Sequence, residues 1–224
     1  MSKTDDVIEH LAKTDPERLV KLEQAAIEAF EGHIWIANAG PQLQAFISVA
    51  DLLLYGGQGG GGKTDLLGGL SLTQHQRSLI LRPQYTDLGA IIDRFCAIAG
   101  TKDGLNRSPP AQFKYDGRII DFGAAATIDG AETWQGNPHD LAADQDLGVE
   151  EVQRSRTVLA SNPPLGPEGE WIIGMFRPWL DDTHPDPAAH GELRWYVTDP
   201  DGRDMEVGGP QEIKEWGGGL YIPK

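Results

Sequence analysis

Residues 52–64 read LLLYGGQGGGGKT, and this stretch decides the fold. The apolar run at its start is typical of a strand that is buried on both faces of a sheet. Glycines follow at once, and Lys63 then begins a segment with helical character that extends to about Leu72. A buried strand that leads through glycines into a helix is the first half of a strand–helix–strand unit, which indicates a parallel sheet.

The segments that follow continue this alternation. Residues 78–82 (SLILR) predict a second buried strand. Residues 86–99 predict an amphipathic helix whose inner face carries Leu88, Ile91, Ile92 and Phe95. We therefore expect the α/β class, with a mostly parallel sheet that is flanked by helices.

Shorter elements are predicted farther along the chain. Residues 113–122 form a hairpin, because the Asp116-Gly117 pair supplies the positive φ angles of a two-residue turn. Residues 156–160 predict another short strand, and residues 171–180 a short helix or helical turn. Residues 193–197 and 205–207 predict a second hairpin. Both hairpins are expected as appendages to the main sheet.

The chain of 224 residues is long enough for one sizeable domain with a small appendage. Its apolar stretches are shorter than the about 18 residues that cross a bilayer. The single cysteine, Cys96, excludes an internal disulfide, fits a reducing cytosol, and is expected to be a buried apolar residue. We expect a helical segment at residues 1–35, the main domain at residues 36–207, and a linker or truncated tail at residues 208–224.

The net charge of −15 is unevenly distributed. Residues 121–224 carry 7 Lys and Arg against 20 Asp and Glu, whereas residues 60–120 carry 8 against 5. Contacts to DNA phosphates need cations, so a DNA-binding surface would come from the middle of the chain. The acidic half is typical of a solvated surface.

The glycine run matches the phosphate-loop pattern G-x-x-x-x-G-K-[ST]. Glycines let backbone N–H groups turn inward around phosphate oxygens, and the following helix presents its positive end to the same anion. Lys63 is expected to reach the β- and γ-phosphates, and the Thr64 hydroxyl to bind Mg²⁺. A flexible linker, the alternative, does not account for Lys-Thr at the helix start. The predicted nucleotide-binding residues are Gly57, Gln58, Gly59, Gly60, Gly61, Gly62, Lys63 and Thr64.

Several runs, taken in this order, resemble the large subunit of tailed-phage and gene-transfer-agent terminases. They are residues 54–57 (LYGG), 79–83 (LILRP), 134–141 (WQGNPHDL), 157–164 (TVLASNPP), 176–180 (FRPWL) and 191–196 (GELRWY). The resemblance covers residues 36–224 and implies a P-loop NTPase fold of the RecA-like (ASCE) type. It also implies an ATP- and Mg²⁺-dependent motor that threads double-stranded viral DNA through a portal protein, in the host bacterial cytoplasm. The small terminase subunit and further copies of the chain are its implied partners.

The resemblance also implies roles for three residues outside the loop. Gln42 matches an adenine-reading glutamine, and its amide can pair with adenine, although a surface glutamine is the alternative. Arg82 would respond to the γ-phosphate or bind DNA, unless it forms a salt bridge. Asn162 would orient the attacking water or relay hydrolysis to movement, unless it only forms an Asn-Pro turn.

The acidic motif that hydrolysis requires departs from the family pattern. The pattern is an apolar strand that ends in Asp-Glu, and the chain contains no Asp-Glu dipeptide. The nearest candidate is residues 141–145 (LAADQ), where Asp144 would bind Mg²⁺ and Gln145 would occupy the position of the base. An amide cannot accept a proton as a carboxylate does. Only residues 145–155 separate Asp144 from the next predicted parallel strand, so the chain looks shortened here. Within this segment, Glu150 and Glu151 are either a substitute base or an exposed acidic pair.

Family members continue into a nuclease domain with clustered carboxylates that bind two metals. The acidic pairs of this chain, such as residues 181–182, occur in turn-like contexts, so we expect no DNA cleavage from it. We therefore predict a terminase motor domain with weak or absent hydrolysis. The alternatives are a catalytically inactive nucleotide-binding interaction module and another nucleic-acid-dependent ATPase.

Overall fold

The computed structural model describes residues 32–57, 59–125, 139, 141–143, 156–161, 170–198 and 203–208. The chain divides into two compact units, Met1–Ile36 and Ala37–Lys224. In the first unit only residues 32–36 are described, so the helices predicted before residue 31 lie outside the described residues. The elements below all belong to the second unit.

A seven-stranded sheet forms the centre of the second unit. Its strands are β1 (Leu52–Leu54), β2 (Arg77–Arg82), β3 (Leu105–Asn106), β4 (Ala111–Tyr115), β5 (Arg118–Ala124), β6 (Leu141–Ala143) and β7 (Arg156–Leu159). They lie in the order β1-β7-β6-β2-β5-β4-β3. The first five strands of this order are mutually parallel, and β4 and β3 extend the sheet antiparallel. The α/β class is confirmed, and the sheet is mixed.

One described helix precedes β1, and the others occupy segments between the strands. They are α1 (Pro41–Ile47), α2 (Lys63–Thr73), α3 (Leu88–Ala99), α4 (Glu170–Met175) and α5 (Arg177–Leu180), and a 3₁₀ turn (Tyr85–Asp87) precedes α3. The four residues predicted on the inner face of α3 are all buried, as is Cys96. Burial raises the pKa of the Cys96 thiol, which fits its predicted role as a small apolar residue. No helix of the described residues is long and apolar enough to cross a bilayer.

The first predicted hairpin is present, but it is not an appendage. Asp116 and Gly117 have φ angles of 46° and 75°, as the two-residue turn requires. Strand β5 also pairs in parallel with β2, from Ile119 to Ala124. The reason is burial: Phe122 of β5 packs edge-on against Phe95 of α3, with ring centroids 5.5 Å apart. The expectation of an appendage was therefore wrong for this hairpin.

The second predicted hairpin is a separate sheet. Strands β8 (Trp195–Thr198) and β9 (Asp204–Val207) pair antiparallel with each other and with no other strand of the described chain. Strand β8 is half-buried, and Val197 is its one buried residue. This hairpin and the helices α4 and α5 lie near the edge of the main sheet that β1 forms, where they share a groove with it.

Candidate nucleotide-binding site

The glycine loop leaves the sheet at the carboxyl end of β1. The Tyr55 backbone N–H donates to the Leu159 carbonyl at 2.9 Å, which extends the pairing with β7 by one residue before the loop begins. Gly57, Gly60 and Gly62 then have φ angles of 131°, 87° and 72°. Residues with a side chain rarely adopt such angles, so the path of this loop depends on its glycines.

The start of α2 is open to an anion. Gly62 is the residue before the helix, and no side chain caps the first turn. The N–H groups of that turn, together with the positive end of an 11-residue helix, form the kind of surface that binds phosphate. Asp65 lies in the same turn, but Arg94 donates two hydrogen bonds of 2.7 Å to its carboxylate. These hydrogen bonds are the main reason why the pKa of Asp65 lies below its ordinary value, and the positive charge of Arg94 balances that of the carboxylate.

Two side chains hold the loop from within. The Lys63 ammonium donates to the Gly57 carbonyl at 2.8 Å, so it lies between the first glycine of the loop and the helix start. The Tyr55 hydroxyl donates to the Gly61 carbonyl at 2.9 Å. Lys63 therefore contacts the backbone of the loop, and its predicted role toward the phosphates stays a prediction. Tyr55 is a loop contact that the sequence analysis did not single out.

Gln42 supports the end of the loop from α1. Its amide oxygen accepts from the Asn38 N–H at 2.7 Å, and its amide nitrogen donates to the Gly62 carbonyl at 3.0 Å. The side chain is only 4% exposed, so the alternative of a surface glutamine is wrong. Both ends of the amide are bonded to backbone here, and its adenine-reading role stays a prediction.

The remaining predicted residues follow strands that are neighbours of β1. Val158 of β7 pairs with Leu53 of β1 on one side and with Ala143 of β6 on the other. Because these strands are parallel, their carboxyl ends and the loop occupy one edge of the sheet, where ligands bind in open α/β folds. Strand β6 ends one residue before Asp144, and β7 ends shortly before Asn162.

Asp144, Asn162, Gln58, Gln145, Glu150 and Glu151 themselves lie outside the described residues. Arg82 is the last residue of β2 and is half-buried, opposite Ala124 of β5. Strand β2 is parallel to β6, so Arg82 lies at the end of the sheet where the carboxyl ends of the strands and the loop lie. It is three strands away from β1. Its predicted roles toward phosphate or DNA stay predictions.

A buried ionic cluster around Asp121 was missed by the sequence analysis. Asp121 points to the face of β5 opposite Phe122, and its carboxylate contacts Arg77 (3.3 Å), Gln112 (2.7 Å) and His139 (3.0 Å). Burial opposes ionisation of Asp121, but the hydrogen bonds and the positive charge outweigh it and lower its pKa. The available signal was a carboxylate inside the apolar run at residues 119–122, because a charge there needs partners.

The cationic middle of the chain is largely neutralised internally. Arg94 pairs with Asp65, Arg107 and Lys102 both contact Asp93, and Arg77 contacts Asp121. The Arg118 guanidinium donates to two backbone carbonyls. The expected DNA interface stays a prediction.

Comparisons of the chain with protein-family models, with curated proteins and with solved structures find no match.

Proposed function

We propose that the chain binds ATP with Mg²⁺ through residues 57–64. The observation that supports this most is the loop itself: glycines with positive φ connect a parallel strand to an uncapped helix, with Lys63 across them. The space beside the loop is open, because a Cβ added at Gly57, Gly59 or Gly60 would meet no atom within 4 Å. Thr64 follows Lys63 in the first turn and would supply the hydroxyl ligand of Mg²⁺.

We further propose that the domain is a RecA-like P-loop NTPase and the ATPase portion of a viral DNA-packaging terminase. Two features support this. The parallel strand that precedes Asp144 and the one that precedes Asn162 are the two nearest neighbours of β1, so both positions follow strands that end beside the loop. The terminase-like runs also occur in family order. Double-stranded DNA, a portal protein, a small terminase subunit and further copies of the chain are the partners under this proposal.

Hydrolysis is proposed to be weak or absent. Asp144 would bind Mg²⁺, but Gln145 follows it where a carboxylate base is needed. The same observation favours the second candidate, a nucleotide-binding interaction module that assembles on a portal or on intact terminase subunits without turnover.

The test compares steady-state ATP turnover of the wild type, Asp144→Ala and Gln145→Glu. We expect turnover near background for the wild type and a measurable gain for Gln145→Glu, because that substitution restores the base. Turnover of Gln145→Glu that survives the added substitution Asp144→Ala would contradict the proposed metal ligand. Turnover that Gln145→Glu leaves at background would contradict the proposed position of the base.

A further inference from the structure

The outer edge of β1 pairs with no strand of the described residues, although β1 is made of three leucines. The Asp51 carbonyl and the Tyr55 N–H bond to β7, and backbone groups of alternate residues in a strand point to opposite sides. The N–H and C=O groups of Leu52 and Leu54 therefore point away from β7. A strand edge of this kind is a template for another extended segment.

A groove of about 1500 Å³ runs along this edge. Residues of β1, α1, α4, α5 and the β8–β9 hairpin line it. Its apolar lining includes Ile47, Trp171 and Leu180, which are 65%, 45% and 42% exposed. Small-molecule pockets hold about 300–1,000 Å³, so the groove exceeds the size of a small ligand and fits a segment of polypeptide.

The rim of the groove is acidic. Arg194 lies within 2.8 Å of three carboxylates, those of Asp186, Glu192 and Glu206. One guanidinium thus faces three negative charges, which leaves a net of −2 on this cluster. Glu192 and Glu206 both line the groove. The charge complements a cationic partner and disfavours an acidic one.

From the open edge, the apolar groove and the acidic rim, we propose that another polypeptide adds a strand to β1. The segment is extended, carries apolar side chains toward α4 and α5, and has lysine or arginine side chains at the acidic rim. Main-chain hydrogen bonds to Leu52 and Leu54 supply affinity, and the groove supplies specificity, as in other cases of strand addition. Tyr55 and Gly57 of the nucleotide loop also line the groove, so peptide binding and nucleotide binding are measured separately.

The experiment titrates the full chain with a synthetic peptide of about ten residues in which valine and lysine alternate. Residue-resolved hydrogen exchange by NMR follows the backbone amides of β1. We expect exchange at Leu52 and Leu54 to slow about tenfold or more, while Leu53, which is already bonded to β7, changes little. Unchanged exchange at Leu52 and Leu54 would overturn the proposal. So would full protection of both amides before peptide is added, because the edge would then already be covered.

Three matched controls separate the parts of the proposal. A peptide N-methylated on every residue keeps its side chains but cannot pair along either edge, so it should not protect Leu54. A peptide with glutamate in place of lysine should bind at least about tenfold more weakly. The double variant Glu192→Gln/Glu206→Gln should bind the lysine peptide less tightly at low salt and should reduce its salt dependence. Equal binding of the lysine and glutamate peptides would refute the cationic partner, and protection by adenosine alone would assign the groove to a nucleotide instead.

Discussion

Gly62→Ala tests how closely the loop depends on its geometry. Gly62 has a φ of 72°, and a Cβ there would lie 2.5 Å from the Gln42 amide nitrogen. The left-handed backbone costs an alanine about 1–2 kcal/mol. Gln42 can swing away, but it then loses its bonds to Asn38 and Gly62, each of which contributes about 0.5–1.5 kcal/mol. Gly62→Ala should therefore lower the free energy of unfolding by about 2–5 kcal/mol, measured by urea denaturation.

The loop supplies its own controls for this measurement. Gly60 has a φ of 87° and open space around it, so Gly60→Ala should show only the backbone cost of about 1–2 kcal/mol. Gly59→Ala has neither penalty and should change stability by less than about 0.5 kcal/mol. Adding Gln42→Ala to Gly62→Ala should cost less than the sum of the two single changes, because they share one contact. Equal losses for Gly62→Ala and Gly60→Ala would refute the role given to Gln42.

Further predictions concern the Asp121 cluster and the hydrogen bond between Tyr55 and Gly61 in the loop. Asp121→Asn should destabilise the domain by about 2–3 kcal/mol near neutral pH, measured by urea denaturation. The control Asp116→Asn, in the exposed turn, should change stability by less than about 0.5 kcal/mol. Because the folded-state pKa of Asp121 is lowered, its contribution is complete above the unfolded value of about 3.9 and is lost as pH falls through the folded-state value. The wild type and Asp121→Asn should therefore converge in stability in acid, and a constant difference between them would contradict the assignment. Tyr55→Phe removes only the bond to Gly61, so it should weaken Mg-ATP binding by about two- to tenfold in calorimetry, and unchanged affinity would show that this bond does not hold the loop.

The local parts of the fold could be predicted from the sequence. The apolar run at residues 52–54, the glycines and Lys63 predict the strand, loop and helix that the structure contains. The expected burial of this strand on both faces was wrong, because β1 is an edge strand of the described sheet whose leucines are only half-buried. The period of the apolar residues predicts α3, and the Asp116-Gly117 pair predicts the turn between β4 and β5. These features follow from interactions among residues that are close in the chain.

Contacts between distant residues could not be predicted in the same way. Nothing near residues 118–124 shows that this strand pairs with β2 instead of standing apart in a hairpin. Gln42 reaches a carbonyl 20 positions later, and Asp121 meets Arg77 across 44 positions. These partners depend on which groups are buried together once the sheet has formed. A buried polar group needs a hydrogen bond, and its partner can come from any part of the chain that lies nearby in space.

The most direct test of the account is calorimetric binding of Mg-ATP to the wild type, to Lys63→Ala and to Lys114→Ala. Lys63 lies across the loop, and a charge-assisted hydrogen bond to phosphate contributes about 1.5–3 kcal/mol, or roughly 10- to 150-fold in Kd. Lys114 is exposed on β4, so the Lys114→Ala variant should bind Mg-ATP as tightly as the wild type. We expect the wild type to bind Mg-ATP and the affinity to weaken by that factor in Lys63→Ala alone. Absence of binding to the wild type, or equal affinity of all three proteins, would contradict it.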